Sequence, residues 1–276
     1  MIIGIAGLGL IGGSLAKAIK KNTEHRVYGV DIQETVVQMA SEAGAIDGVL
    51  NKELLGQCDL VIVAIHLQGT IDYIKKHAAS FKKGAVVTDC CGVKQTVCEA
   101  LQETAAANGF VLIGTHPMAG LEQSGFKHST PHLFNNAYMI MTPYEATPSE
   151  LVVRLQAFWQ ELGFAGSTVC SPAEHDRMIA FTSQLAHVVS SAFVKGRQAP
   201  KHKGFSAGSY QDMTRVARLD ENMWTELLLA NKQNLIPEID ALIERMGKYR
   251  DALKANRPDI LKKLLQDGRE IKEAIG

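Results

Sequence analysis

The sequence predicts an α/β protein, a doubly wound parallel sheet followed by an all-α helical domain, and three observations carry that prediction. An apolar run at the start leads directly into Gly7-Leu8-Gly9-Leu10-Ile11-Gly12 and then into a helical pattern. Strand-like and helix-like segments then alternate, the order that gives a parallel sheet with helices on its faces. From about Ala173 strands cease and long helical stretches take over.

A strand that runs into Gly-x-Gly-x-x-Gly and a helix is the arrangement that seats a dinucleotide pyrophosphate. Gly7 permits the tight turn, Gly9 lets phosphates approach the backbone, and Gly12 lets helix pack on strand. The helix N-terminus then offers free N–H groups at the positive end of its dipole. A glycine triplet alone is also an ordinary turn, so the second run matters. Arg26-Val27-Tyr28-Gly29-Val30 reads as strand two and ends in Asp31, 19 residues past Gly12, near the spacing of a ribose-binding carboxylate. Such a carboxylate accepts from both ribose hydroxyls of NAD and repels the extra phosphate of NADP, so NAD is the expected cofactor. The competing reading of Asp31 is a plain turn residue. On this Rossmann-type plan, Leu10 and Ile11 in the turn, Ala64 and Ile65 closing the third strand, and Asp89 closing the fourth join Gly7, Gly9, Gly12 and Asp31 as cofactor contacts.

After strand two, residues 35–43 read as helix, 59–65 as a buried parallel strand and 68–80 as a crossover helix. Strand 85–89, helix 94–107 and strand 110–113 follow, then an apolar strand at 137–141. Thr147 is placed to cap the next helix, with Pro148 its first residue and Glu150 the reciprocal cap, and that helix stops at Gly163. The dinucleotide-binding domain is therefore expected over residues 1–170 and the helical domain over 171–276. Helices are expected at 174–195, 221–231, 235–255 and 259–274. The first of these carries few charges on any face and should be buried nearly all round, which favours a homodimer built through this domain.

Composition narrows the function. The 276 residues carry 29 Lys+Arg against 29 Asp+Glu, so no global field favours nucleic acid or an acidic membrane surface. No apolar run approaches the roughly 18 residues of a spanning helix, and a cytoplasmic protein is expected. The five cysteines form no Cys-x-x-Cys pair and read as reduced thiols, and the nine histidines show no ligand cluster, so no metal is expected. Cys90-Cys91 reads as packing at a strand end rather than a redox pair.

The segment Gly114-Thr115-His116-Pro117-Met118-Ala119-Gly120 follows a strand end, where open parallel sheets place ligands. A histidine there can take a proton from a substrate hydroxyl as hydride leaves the same carbon; the competing reading is a core histidine satisfied by hydrogen bonds. Here the sequence resembles the prephenate dehydrogenase family over nearly its whole length. The resemblance rests on Gly7 to Ser14, Thr88-Asp89-Cys90-Cys91-Gly92-Val93-Lys94, His116 to Gly125, and Asp212-Met213-Thr214-Arg215-Val216-Ala217, all in the family's order. It implies His116 as catalytic base, Glu122 at the active-site entrance and Arg215 as binder of the substrate anion. It further implies that His187 contacts substrate with Ser183 close by, and that Trp224 lines the pocket. On physical grounds the rigid guanidinium fork of Arg215 suits a dicarboxylate, a surface ion pair being its alternative reading. Lys94 and Arg218 are weaker anion-binding candidates and read as surface charges. Two departures stand out: many relatives have serine at Gly92, for which Cys91, Ser124 or a water could substitute, and some have histidine at Gln184.

The reading is NAD-dependent oxidative decarboxylation of prephenate to 4-hydroxyphenylpyruvate, a step in tyrosine biosynthesis. Arogenate is the near alternative substrate. A β-hydroxyacid dehydrogenase would need a lysine on the first long helix, where Lys195 lies too near the end, and an NAD-binding protein without catalysis is the distant alternative.

Overall fold

The computed structural model describes residues 1–276. The elements run β1 (Ile2–Ala6), α1 (Leu10–Asn22), β2 (Arg26–Val30), α2 (Glu34–Glu42), β3 (Gly48–Val49), α3 (Lys52–Leu55), β4 (Leu60–Val63), α4 (Leu67–His77), β5 (Val86–Asp89) and α5 (Gln95–Asn108). They continue with β6 (Val111–Pro117), β7 (Tyr138–Pro143), α6 (Ser149–Glu161) and β8 (Gly166–Val169). One eight-stranded sheet results, in the order β3-β2-β1-β4-β5-β6-β7-β8. Its neighbours pair in parallel except β6 with β7, which are antiparallel.

Alternation along the strands sends side chains to two faces. On one, Ile3, Ile5, Ile62 and Ile113 pack with Leu15, Ile19, Phe158 and Trp159 of α1 and α6. On the other, Val61, Val63, Val87 and Leu112 pack with Ile71, Ile74, Val97 and Leu101 of α4 and α5. Both faces of the central strands are therefore covered, as a doubly wound sheet requires.

The helical domain comprises α7 (Pro172–Ile179), a π-helical turn at Ala180–Leu185, α8 (Ala186–Phe193), α9 (Gly208–Thr214), α10 (Glu221–Ala230), α11 (Lys232–Lys254) and α12 (Pro258–Ile275). Ser171 caps α7 by accepting from Glu174 N–H, with Pro172 in the first turn, and Asp220 caps α10 through Met223 N–H. Its only buried apolar cluster is Ala180, Leu185 and Leu235.

Several expectations need correction. Thr147 makes no cap: α6 starts at Ser149, and Pro148 is extended at ψ 131°, as its ring fixes φ but leaves ψ free. β3, β8 and α3 were too short to show a period. The strand expected at 110–113 runs on to Pro117, so His116 lies within β6 rather than beyond it, paired with Ile140 of β7. The first long helix is not buried all round within one chain, since Met178, Phe181 and Phe193 are about half exposed. No helix is long and apolar enough to cross a membrane.

Candidate active site

The cofactor side begins where β1 ends. Gly7 has φ +86°, and a Cβ on it would lie 2.4 Å from the Ala64 carbonyl oxygen; one on Gly12 would lie 1.8 Å from that of Gly7. Beside Gly9 the space is open. Ala64 and Ile65, just past β4, thus brace the turn from beneath. α1, which opens with Leu10 and Ile11, starts with no side-chain cap and no acid in its first turn, leaving its N–H groups directed at any anion placed there. Asp31 is held against this turn, accepting from Leu8 N–H at 2.8 Å and Gln33 N–H at 3.0 Å. A turn that excludes side chains, an uncapped helix end and a fixed carboxylate together fit a dinucleotide.

Asp89 does not fit that role. It is fully buried, with its carboxylate bound to the Lys94 ammonium and accepting from Cys91 N–H (2.9 Å) and Thr115 N–H (3.3 Å). Lys94 is likewise no surface charge: it is fully buried and also donates to the Thr115 carbonyl at 2.7 Å. An ion pair buried this deeply persists because each charge is compensated by the other and by backbone groups.

His116 stands beside that pair. Its Nδ1 lies 2.9 Å from Nε2 of His175 on α7, and His175 Nδ1 lies 2.6 Å from an Asp176 oxygen. The same carboxylate accepts from Lys94 N–H (2.7 Å) and Gln95 N–H (2.9 Å), so it also caps α5 from the helical domain. Burial holds His116 well below the ordinary histidine value, with the charges of His175 and Lys94 adding to the effect. Burial lowers His175 too, against the pull of Asp176. Such a base stays neutral and ready at physiological pH.

On the helical side, the His187 ring of α8 packs against Trp224 of α10, ring centres 4.1 Å apart and planes tilted by 32°, with its Nδ1 2.9 Å from the Ser183 carbonyl. Arg215 follows α9, is exposed, and takes part in none of the chain's ion pairs, so the surface-pair reading fails. Arg218 is also without an ion-pair partner. Glu122 and Ser124 lie on the exposed loop after β6. They make no hydrogen bond to the histidines, and Ser124 does not replace the missing serine. Neither does Cys91, whose Sγ turns to Thr70 Oγ1 at 3.4 Å. A Cβ on Gly92 would stand 3.3 Å from Leu227 of α10, which crowds the place of a serine side chain. Gln184 is buried and accepts from Asn231 at 2.8 Å, serving the helical domain's interior. Glu226 of α10 accepts from Gln68 N–H at 2.6 Å, at the otherwise uncapped start of α4. No three His, Cys, Asp or Glu side chains converge to hold a metal. α7 and α8 carry no lysine, against the β-hydroxyacid dehydrogenase reading.

The chain matches the family profile "Prephenate dehydrogenase, nucleotide-binding domain" over residues 15–166 and "Prephenate dehydrogenase, dimerization domain" over residues 171–267. A prephenate dehydrogenase of Lactococcus lactis subsp. cremoris is 31% identical over 281 residues, covering 98% of this chain and 76% of that protein. The structure of Aquifex aeolicus prephenate dehydrogenase in complex with hydroxyphenyl propionate and NAD+ superposes with a TM-score of 0.88 at 25% identity, over 100% of this chain and 98% of that one. Synechocystis arogenate dehydrogenase superposes with a TM-score of 0.84 at 25% identity, over 100% of both chains.

Proposed function

The chain belongs to the prephenate dehydrogenase family and is an NAD-dependent oxidoreductase, and we propose that it converts prephenate to 4-hydroxyphenylpyruvate and carbon dioxide. The observation that supports this most directly is a half-buried histidine near the end of a sheet strand, His116, held by a second histidine at 2.9 Å.

NAD, when bound, supplies the acceptor for the hydride leaving the ring carbon that bears the hydroxyl. Gly7, Gly9, Gly12 and the N–H groups at the start of α1, with Leu10 and Ile11, would hold its pyrophosphate, and Asp31 its ribose. His116 takes the hydroxyl proton as that carbon becomes electron-poor, and loss of the ring carboxylate then aromatises the product. Arg215, with no internal partner, binds a substrate carboxylate. His187, Ser183 and Trp224 flank the ring, while Glu122 and Ser124 border the entrance. Orientation and anion binding are the protein's share; the redox chemistry belongs to the cofactor.

We assign residues 1–170 to the cofactor-binding unit and 171–276 to a unit that completes the substrate site and pairs two copies. Exposed Met178, Phe181, Phe193, Ile243, Met246 and Leu253 give the helical unit an apolar surface suited to a second copy. NADH formation from prephenate and from arogenate, measured side by side, tests the substrate: kcat/KM should be at least about tenfold higher for prephenate. A preference for arogenate would overturn the substrate assignment and point to Glu122 as the group facing its ammonium.

A further inference from the structure

Asp176 anchors a chain of three side chains whose hydrogen-bond polarity is set from one end. Its carboxylate already accepts two backbone N–H bonds at the start of α5, so it faces His175 as an acceptor as well. His175 Nδ1, at 2.6 Å, must therefore carry a proton and donate. Burial keeps that ring neutral, and a neutral imidazole with Nδ1–H presents a lone pair at Nε2. The His116 Nδ1 that lies 2.9 Å away must then be the donor. Reversing the chain would require a proton on Asp176, opposed by both backbone N–H groups that point at its oxygens.

We propose that His175 and Asp176 are positioning residues that fix His116 in its Nδ1-protonated tautomer, leaving Nε2 as the atom that receives the substrate proton. The proposal rests on His116 being the base of the reaction, but the tautomer itself can be observed without any reaction. When His116 becomes imidazolium it keeps its Nδ1–H bond to His175, so no hydrogen bond has to be remade during proton transfer. The charged groups around the pair are few: Lys94 and Asp89 from β5 and its following turn, and Asp176 from α7. The opposite charges of Asp89 and Lys94 are bound to each other. Two imidazolium rings in contact would repel, so the pair takes up at most one proton beyond the one each neutral ring already carries. Asp176 has a second consequence. Because one carboxylate both caps a helix of the sheet domain and orients a histidine of the helical domain, the base is correctly oriented only when the two domains are in register.

Nitrogen-15 NMR of the full-length protein labelled at histidine, with NAD bound, reads the tautomer directly. His116 should be protonated at Nδ1 in the wild type; protonation at Nε2 overturns the proposal. His175→Phe removes the acceptor, so turnover should fall on the order of 100-fold while KM for NAD changes less than about twofold. His175→Gln supplies a carbonyl to His116 and an amide N–H to Asp176, and should recover at least about tenfold of that loss. A His175→Phe protein that melts and binds NAD as the wild type does, yet keeps turnover within about threefold, overturns the proposal. If the variant does not fold, the wild-type spectrum decides alone. Should His116→Asn retain full turnover, the function assignment fails, while the NMR result still decides the tautomer.

Discussion

The sheet domain and the helical domain bury apolar and polar residues in very different proportions. Every central strand of the sheet is covered on both faces by aliphatic and aromatic side chains, whereas the helical domain has one small apolar cluster. What the helical domain does bury includes His175, Asp176, Gln184, Ser190 and Asn231. Four of them are linked by hydrogen bonds, Asn231 donating to Gln184 and to the Asp176 carbonyl, both at 2.8 Å, and His175 pairing with Asp176, while the Ser190 hydroxyl has no partner. Polar groups this buried are costly unless satisfied, so their concentration beside the sheet's ligand edge marks a functional seam rather than a core. On the proposed function, the sheet supplies a rigid platform carrying the base, and the helical domain supplies the groups that orient the base and meet the substrate.

That division predicts different kinetic signatures for the two sides. The largest effect belongs to His116→Asn, which keeps a polar side chain but cannot act as the base. Turnover should fall by roughly 100- to 10,000-fold, with NAD affinity unchanged in a binding titration. The pH profile adds a sign. His116 is lowered below the ordinary 6.5, so the neutral, active form persists as pH falls through 6.5, and wild-type activity should decline only at more acid pH. Stability behaves differently over the same range. The unfolded chain binds protons near 6.5 before the folded one does, so folding stability should fall as pH drops below 6.5 toward the lowered folded-state values of His116 and His175. A wild-type acid limb centred above 6.5 would contradict this account of the base.

Arg215→Ala probes the other side. Loss of a charge-assisted pair that leaves a substrate carboxylate unpaired costs about 2 to 5 kcal/mol, expressed in the KM for substrate with KM for NAD nearly constant. Arg215→Lys should restore part of it, since an ammonium lacks the bidentate fork. Equal weakening of substrate and NAD, or loss of folding, would make Arg215 structural and dissolve the contrast between the domains.

Much of the sheet domain was legible because its signals are local. Glycine spacing, an acid at a strand end and alternating periods all lie within short windows, and the structure places Gly7, Gly12 and Asp31 against one turn. The candidate catalytic constellation was only half legible. His116 stood out by its neighbours, but His175 lies 59 residues away in sequence, and a His-Asp pair near the start of a charged helix has no pattern that sets it apart from a solvated face. Lys94 was misread for a related reason. A lone lysine defaults to the surface, and only tertiary contact shows that Asp89, five residues earlier, accompanies it into the interior. The extent of β6 was lost because Thr115-His116-Pro117 looks like a strand ending, although pairing with β7 carries it through Pro117. The apolar character of the first long helix was legible, but its expected burial all round is not met within this chain, where Met178, Phe181 and Phe193 are about half exposed.

The smallest predicted effect tests whether the seam transmits between the domains. Glu226 reaches from α10 to the first turn of α4, accepting from Gln68 N–H at 2.6 Å, where no residue of α4's own segment caps the helix. α10 also carries Trp224, packed against His187, and Leu227, against Gly92, so this one contact helps set where the aromatic proposed to flank the substrate stands. Glu226→Gln keeps an acceptor and removes the charge, which at a partly exposed helix N-terminus is worth about 0.3 to 1 kcal/mol. The KM for substrate should rise about two- to fivefold, with turnover and the melting temperature nearly unchanged, and the difference from wild type should shrink as salt screens the charge. An unaltered KM at low salt would mean that α10 is positioned by Leu227 and the apolar contacts alone, and that the domains meet at Asp176 without a second electrostatic tie.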